Sequence, residues 1–485
     1  MGNAYDCDVL IIGGGPTGVT LAALLAKRGV SVIVAEKEAD IYPLPRAAHI
    51  DHEGMRVLQE AGAAEAVMAT SRQANRYEFR NAKGRLLLCF DGAEQTGPGG
   101  WPVANMIHQP SVEAALRTSL AAQSCADLRS GWEMHSFAED AGGVAARFAT
   151  PGGERTIRAR WLVGADGARS PVRKACGITF EDLGFEEPWL VVDALVDDAS
   201  RLPTANLQIC DPARPTTCVL MGEGRHRWEF MILPGETPEE VSSDAAVNKL
   251  LAPWKVDGAV RIERKAVYTF RARIAEQWRK GRVLLAGDAA HQTPPFAGQG
   301  MCSGLRDAAN LAWKLAAVTK GEADQKLLDT YQPERAPNLR ATIDMAIMMG
   351  RMVCTTSRLS AAVRDTKFSI ARMLGRLPDG PPNYPPIDAG AILAGSECAG
   401  IYFPQVVATD GSRLDDALGP DVWFITRDDL GELRFAPFAD RLREWFNLHA
   451  VEAVLVRPDR YVYGTGKAGA LKAHWQATLG REPAL

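Results

Sequence analysis

Asp8-Val-Leu-Ile-Ile-Gly13-Gly14-Gly15-Pro16-Thr17-Gly18 reads as a buried strand that turns through glycines into an Ala/Leu-rich helix. Gly13 makes the tight turn. Gly15 removes the Cβ that would hold a pyrophosphate away from the backbone, and Gly18 lets the helix pack closely on the strand. Pro16 is tolerated near the first turn, where its missing N–H has no intrahelical partner anyway. Lys27-Arg28-Gly29 ends the helix, with cations at the negative end of its dipole and a glycine at the exit. A second strand, residues 30–35, then delivers Glu36 and Lys37. The acid falls about 20 residues beyond the glycines, where a carboxylate can accept hydrogen bonds from a ribose diol. Gly13, Gly15, Pro16, Thr17, Gly18, Glu36 and Lys37 are therefore candidates to bind a dinucleotide. FAD and NAD share an ADP half, so this turn does not choose between them.

The remainder of the chain limits what such a site can serve. With 485 residues, 46% apolar and 24% charged, it should divide into two or three domains. The net charge of −4 comes without a dense Lys/Arg block, so neither nucleic acid nor a membrane surface is expected as a partner. The N-terminus lacks the pattern of a secretory signal, and no window holds the roughly 18 unbroken apolar residues of a membrane span. Nine cysteines, scattered from Cys7 to Cys398 with no C-x-x-C pair, suit a reducing compartment and no metal site. A cytoplasmic protein acting on small molecules is expected.

Strands alternating with helices up to about residue 185 predict an α/β domain with a Rossmann-like parallel sheet. Residues 186–275 read as an inserted antiparallel sheet, with strand-like runs at 189–196, 217–221 and 228–233. Residues 276–378 return to the first domain at 282–288 and continue as a long helical stretch reaching about Leu377. Prolines at 381, 382, 385 and 386 mark a stiff linker, and residues 387–485 form a small α/β module.

Two later segments bear on the cofactor. Trp161-Leu-Val-Gly164-Ala-Asp166-Gly167 and Arg282-Val-Leu-Leu-Ala-Gly287-Asp288 are each an apolar strand entering a Gly/Asp turn. The second continues through Pro294-Pro295-Phe-Ala-Gly298-Gln-Gly300. Alone, each is an ordinary strand-to-helix connection. Together and in this order with Gly13–Gly18, they resemble the class A FAD-dependent aromatic monooxygenases over about the first 345 residues. Tyr42-Pro-Leu-Pro-Arg46-Ala, Cys210-Asp-Pro-Ala-Arg214-Pro and Arg227-Trp-Glu-Phe-Met-Ile-Leu-Pro-Gly-Glu236-Thr look most like the family's 3-(3-hydroxyphenyl)propionate hydroxylases.

That resemblance implies FAD as cofactor and NADH or NADPH as a transient donor with no Rossmann domain of its own. It also implies hydroxylation of a phenolic aromatic substrate by O2 through a flavin C4a-hydroperoxide. By similarity Asp288 binds the ribityl chain, while Gly287, Pro295, Gly298, Gly300 and Met301 bring the next helix's N-terminus against the flavin. Gln109 and Arg117 look like further flavin contacts, and Asp166 belongs to a segment linked to FAD and the nicotinamide donor. Arg46 falls in a loop beside the flavin ring. Arg46, Tyr268 and His49 are the candidates for catalysis, with His52, Asp51 and Glu53 nearby.

Bland readings stay open beside these: surface charge for Arg46 and Arg117, a core tyrosine for Tyr268, and structural roles for the histidines. The last hundred residues resemble a thioredoxin-like module. Without C-x-x-C it would support structure or a homodimer rather than thiol chemistry. Tailoring of a polyketide, inactivation of an antibiotic and non-catalytic redox sensing are the alternative functions.

Overall fold

The computed structural model describes residues 5–481 except Pro45, Asn75, Ala93 and 378–383. Its first sheet is built around Cys7–Ile12, whose Val9, Leu10 and Ile11 are fully buried. That strand lies between Gly153–Gly164 and Val32–Glu36, parallel to both. Ala126–Ser130 extends the parallel set on one side and Val283–Leu285 on the other. A continuous apolar run suits a strand covered on both faces. Helix Pro16–Lys27 covers the central strand and packs against helix Gly300–Thr319.

This topology explains why three motifs far apart in sequence meet. Ile12, Gly164 and Leu285 end adjacent parallel strands, and the ladder continues into the turns. Ala165 N–H donates to Ile12 O at 2.8 Å, and Ala286 N–H to Gly164 O at 3.0 Å. Ligands of open parallel sheets bind at this end of the strands.

The second sheet has Val260–Ala275 and Phe180–Val196 paired antiparallel toward one edge, followed by Arg225–Met231, Thr216–Leu220 and Asn206–Cys210. It also takes in the hairpin Arg76–Asn81 and Leu86–Asp91, from within the stretch 1–185. Strand alternation divides its faces. Leu190, Val192, Trp228 and Phe230 pack with Val247 and Leu251 of helix Asp244–Leu251, leaving the opposite face toward the first sheet's turns.

The helical stretch expected to reach Leu377 is three helices, Gly300–Thr319, Tyr331–Val353 and Arg358–Met373. Part of the proline linker, 381–383, lies outside the described residues. The final module has three antiparallel strands, Trp423–Thr426, Ala453–Val456 and Val462–Gly466, with helices Ala439–Leu448 and Ala468–Thr478. It is fixed to the remainder by buried ion pairs, Arg56 with Asp415 at 2.6 Å and Arg457 with Glu334 at 2.6 Å. No helix among the described residues is long and apolar enough to cross a membrane.

Candidate active site

Between the turns and the second sheet lies a cavity of about 500 Å³, in the usual size range of small-molecule sites. At one end are Gly15, Pro16 and Thr17. Gly13 has φ +108°, and a Cβ there would stand 2.4 Å from Ala165 O; a Cβ on Gly18 would stand 2.0 Å from Gly13 O. Both glycines are required by the protein's own backbone. Gly15 differs: its φ is −78° and nothing lies within 4 Å of its would-be Cβ. Nothing inside the protein demands glycine at position 15, so the demand comes from what approaches it.

Around this turn, Glu36 accepts from Gly14 N–H at 2.6 Å and from Glu38 N–H at 2.9 Å. Arg117 Nη2 donates to Gly14 O at 3.2 Å, while its Nε is buried without a partner. Lys37 is exposed and stands 3.5 Å from Glu38. Helix Pro16–Lys27 begins with no side-chain cap, leaving the first-turn donors and the positive end of the dipole for an anion.

The second and third segments complete the floor. Asp166 Oδ2 accepts from Val172 N–H at 2.9 Å, whereas Oδ1 is buried without a partner and burial raises the carboxyl pKa. Gly287 N–H donates to Asp307 Oδ2 at 3.1 Å, and a Cβ on Gly287 would meet Thr17 Oγ1 at 2.7 Å. His291 Nε2–H also donates to Asp307, at 2.5 Å, so it serves this turn and not the lumen. Asp288 is surrounded by protein yet exposed, because it projects into the cavity; burial raises its pKa, opposed by His291 and Arg46. Pro295, Gly298, Gly300 and Met301 also line the cavity. There helix Gly300–Thr319 begins, again without a side-chain cap, since Gln299 Oε1 is taken by Arg306 Nη1 at 3.0 Å.

Arg46, His49 and Tyr268 reach the same cavity. Gln109 Oε1 fixes the loop that carries Arg46 and leads into strand His49–Asp51, by accepting from Arg46 N–H at 3.2 Å and Ala47 N–H at 2.7 Å. The Arg46 side chain lies over the Tyr42 ring, and its carbonyl accepts from Arg227 Nη1 at 2.7 Å. His49 Nδ1 is 3.1 Å from Gly298 O. A carbonyl only accepts, so Nδ1 carries the proton and Nε2 is the basic nitrogen; burial lowers the ring's pKa and favours the neutral form. Tyr268 accepts a hydrogen bond from Arg264, leaving its own proton to donate.

Sequence reasoning missed the polar wall around Tyr268. Arg227 is clamped on Asp193 (2.6 and 3.2 Å), which also attracts Arg264 at 3.5 Å. Glu229, Gln208, Thr217 and Tyr77 share this face among Val191, Val219, Phe270, Phe296, Met345 and Met349. Arg227 and Glu229, two apart among Trp228, Phe230 and Met231, were the available signal, because charges at period two on one face of a buried strand must line something. Asp51 and Glu53 lie outside the lining, paired with Arg306 at 2.6 and 2.5 Å. His52 Nδ1 accepts from Gly99 N–H at 3.1 Å, and it too lies outside the lining.

These features fit FAD. The Gly15 turn with Arg117 would take the pyrophosphate, Glu36 the ribose, Asp288 the ribityl chain, and the Gly300 helix the flavin's electron-rich edge.

A model of the FAD binding domain family matches residues 6–346, and one of the HcaD C-terminal domain matches residues 436–481. A probable NADH-specific resorcinol 4-hydroxylase of Rhodococcus jostii is 37% identical, over 96% of this chain and 92% of that protein. A 3-(3-hydroxy-phenyl)propionate/3-hydroxycinnamic acid hydroxylase of Burkholderia cenocepacia is 35% identical over 99% of this chain and 98% of that protein. Among solved structures, aklavinone-11 hydroxylase in complex with FAD and aklavinone is similar at a TM-score of 0.81 and 26% identity, covering 99% of this chain and 100% of that one. The p-nitrophenol 4-monooxygenase of Pseudomonas putida is similar at 0.67 and 27%, covering 75% and 93%. With the three turns meeting at one cavity, the chain belongs to the FAD-dependent aromatic hydroxylases, monooxygenases built on this FAD binding domain.

Proposed function

We propose that this enzyme hydroxylates a monocyclic phenol of the resorcinol or 3-(3-hydroxyphenyl)propionate type, with NADH or NADPH as donor and O2 as co-substrate. The observation that carries the reading is one cavity joining the FAD turns to a wall of a few placed polar groups in apolar surroundings. FAD, when bound, would supply the redox chemistry, that is, hydride acceptance from the nicotinamide and oxygen activation. The chain's own residues bind and orient the ring. Val191, Phe270, Phe296 and the two methionines exclude water, while Tyr268 donates to a substrate oxygen. The Arg227–Asp193–Arg264 clamp holds that side of the wall rigid. Arg46, Tyr268 and His49 are proposed as the catalytic set, with FAD held by the turn residues, Glu36, Gln109, Arg117, Asp166, Asp288 and the Pro295–Met301 segment. Lys37, exposed beside Glu38, lies outside the cavity lining.

The relatives named for monocyclic phenols have the higher sequence identity, which supports that substrate class over a polyketide. Nine free cysteines support a cytoplasmic setting, and we propose the final module as a thioredoxin-like structural or dimer-supporting appendage. Purified FAD-replete enzyme should oxidise NADH or NADPH faster with such a phenol, and mass spectrometry should find one added oxygen. If no phenol accelerates oxidation and none gains oxygen, the proposal fails.

A further inference from the structure

We infer that Glu229 is the group that accepts the phenolic proton of the substrate, an inference that rests on the phenol-hydroxylating function proposed above. Glu229 lies on strand Arg225–Met231 with its carboxylate on the cavity wall, its residue only 7% exposed. Among the described residues no donor is hydrogen-bonded to that carboxylate. Arg227 Nη1 is 3.8 Å away, beyond hydrogen-bond reach, and is already committed to the Arg46 carbonyl while the same guanidinium grips Asp193.

The neighbouring row of polar groups points its donors elsewhere. Thr217, directly opposite Glu229 in the ladder, donates to Gln208 Oε1 at 2.7 Å. Gln208 Nε2 donates to Tyr77 Oη at 2.8 Å, and Tyr77 donates to Phe296 O at 2.9 Å. Each of these three hydrogen bonds runs away from Glu229. A buried carboxylate without a donor is costly, and here the missing donor can enter from the lumen as a substrate hydroxyl.

The charged and titratable groups facing it are Arg227 on its own strand, Asp193 on the adjacent strand, and Arg264 and Tyr268 on the strand beyond. Tyr77, Arg76 and Asp91 line the cavity from the hairpin, Arg46 and His49 from the segment leading into strand His49–Asp51, Asp288 from the third turn, and Tyr384 completes the set. Helix Tyr331–Val353 contributes only Met345 and Met349 to the lining. Burial, with Asp193 adding to it and Arg227 opposing, raises the Glu229 carboxyl to about 7, where a base is useful at neutral pH.

In the step, the phenol O–H bond breaks and its proton goes to a Glu229 oxygen. The electron pair stays on the substrate oxygen, so the net charge of the pocket is unchanged and the ring is richer in electrons for attack. After the oxygen supplied by the established reaction joins the ring, the ring C–H proton leaves to water. Glu229 returns its proton to the original oxygen as aromaticity is restored.

The test uses FAD-loaded wild type, Glu229→Gln and Glu229→Asp, with resorcinol and 3-(3-hydroxyphenyl)propionate as probes and product formation followed from acid to alkaline pH. Wild-type kcat should rise through a limb near neutrality. Glu229→Gln should lose about 100-fold or more together with that limb while its bound-flavin spectrum is kept, and Glu229→Asp should restore part of the rate with a displaced limb. A Glu229→Gln enzyme with wild-type rate and limb overturns the inference. Should that variant fail to hold FAD, Glu229→Asp decides, because an undisplaced limb also overturns it. Wild type that hydroxylates no phenol would instead refute the proposed function.

Discussion

Replacing Gly15 by alanine should separate cofactor binding from folding, because the structure gives this glycine no internal reason to be one. Its φ of −78° suits any L-residue, and no heavy atom lies within 4 Å of the added methyl. Glycine-to-alanine at a compatible site stabilises by about 0.4–1 kcal/mol through the unfolded chain. Alanine is a somewhat poorer helix cap than glycine, which offsets part of that gain. The apoprotein should therefore change by less than about 1 kcal/mol. The cofactor should not tolerate the change. A methyl between the backbone and a pyrophosphate removes one or two charge-assisted hydrogen bonds, at about 1.5–3 kcal/mol each, or roughly 10- to 150-fold in Kd per bond. Denaturant unfolding of the apoprotein and fluorescence titration with FAD measure the two terms separately. Gly18→Ala is the contrast, since its Cβ would meet Gly13 O at 2.0 Å, and it should damage the fold itself. A Gly15→Ala protein that binds FAD as wild type does, or whose apoprotein is unfolded, would refute the reasoning.

Three further outcomes are expected. Asp288→Ala should weaken FAD binding by about 10- to 150-fold, the loss of a charged group's hydrogen bond, read as flavin content after gel filtration. Tyr268→Phe should keep FAD bound but slow hydroxylation about 10- to 100-fold, since it deletes only a donor to substrate; colourless protein would contradict that separation of roles. Glu229→Gln should also change stability with pH. The wild-type carboxyl is raised from 4.5 to about 7, so its favourable contribution is complete below 4.5 and disappears as pH rises through 7. The apo variant should match wild type in acid and exceed it above pH 7 by up to about 3 kcal/mol, measured by denaturant titration at both pH values.

The cofactor half of the site was legible in sequence because it is written in backbone. Gly13, Gly15 and Gly18 announce a close approach, and the apolar runs ending at Gly164 and Leu285 announce parallel strands whose turns share one end of a sheet. Of the substrate half, Arg46, His49 and Tyr268 were named through the resemblance and reach the cavity; the rest was not legible. It depends on which face of each strand turns inward, and one residue of register exchanges Glu229 for Trp228. The hairpin Arg76–Asp91 joining the second sheet through a parallel pairing is a long-range choice that local pattern does not record. The naming of Asp51 and Glu53 beside the catalytic candidates had the same origin, since their partner Arg306 lies about 250 residues further along the chain.

The most direct test of the account supplies 18O2 to FAD-replete enzyme with NADH or NADPH and resorcinol or 3-(3-hydroxyphenyl)propionate. One labelled oxygen atom in the hydroxylated product, formed faster than the phenol-free oxidation of the nicotinamide, is the predicted result. Flavin reduction that no phenol accelerates, with no label entering any ring, would contradict it.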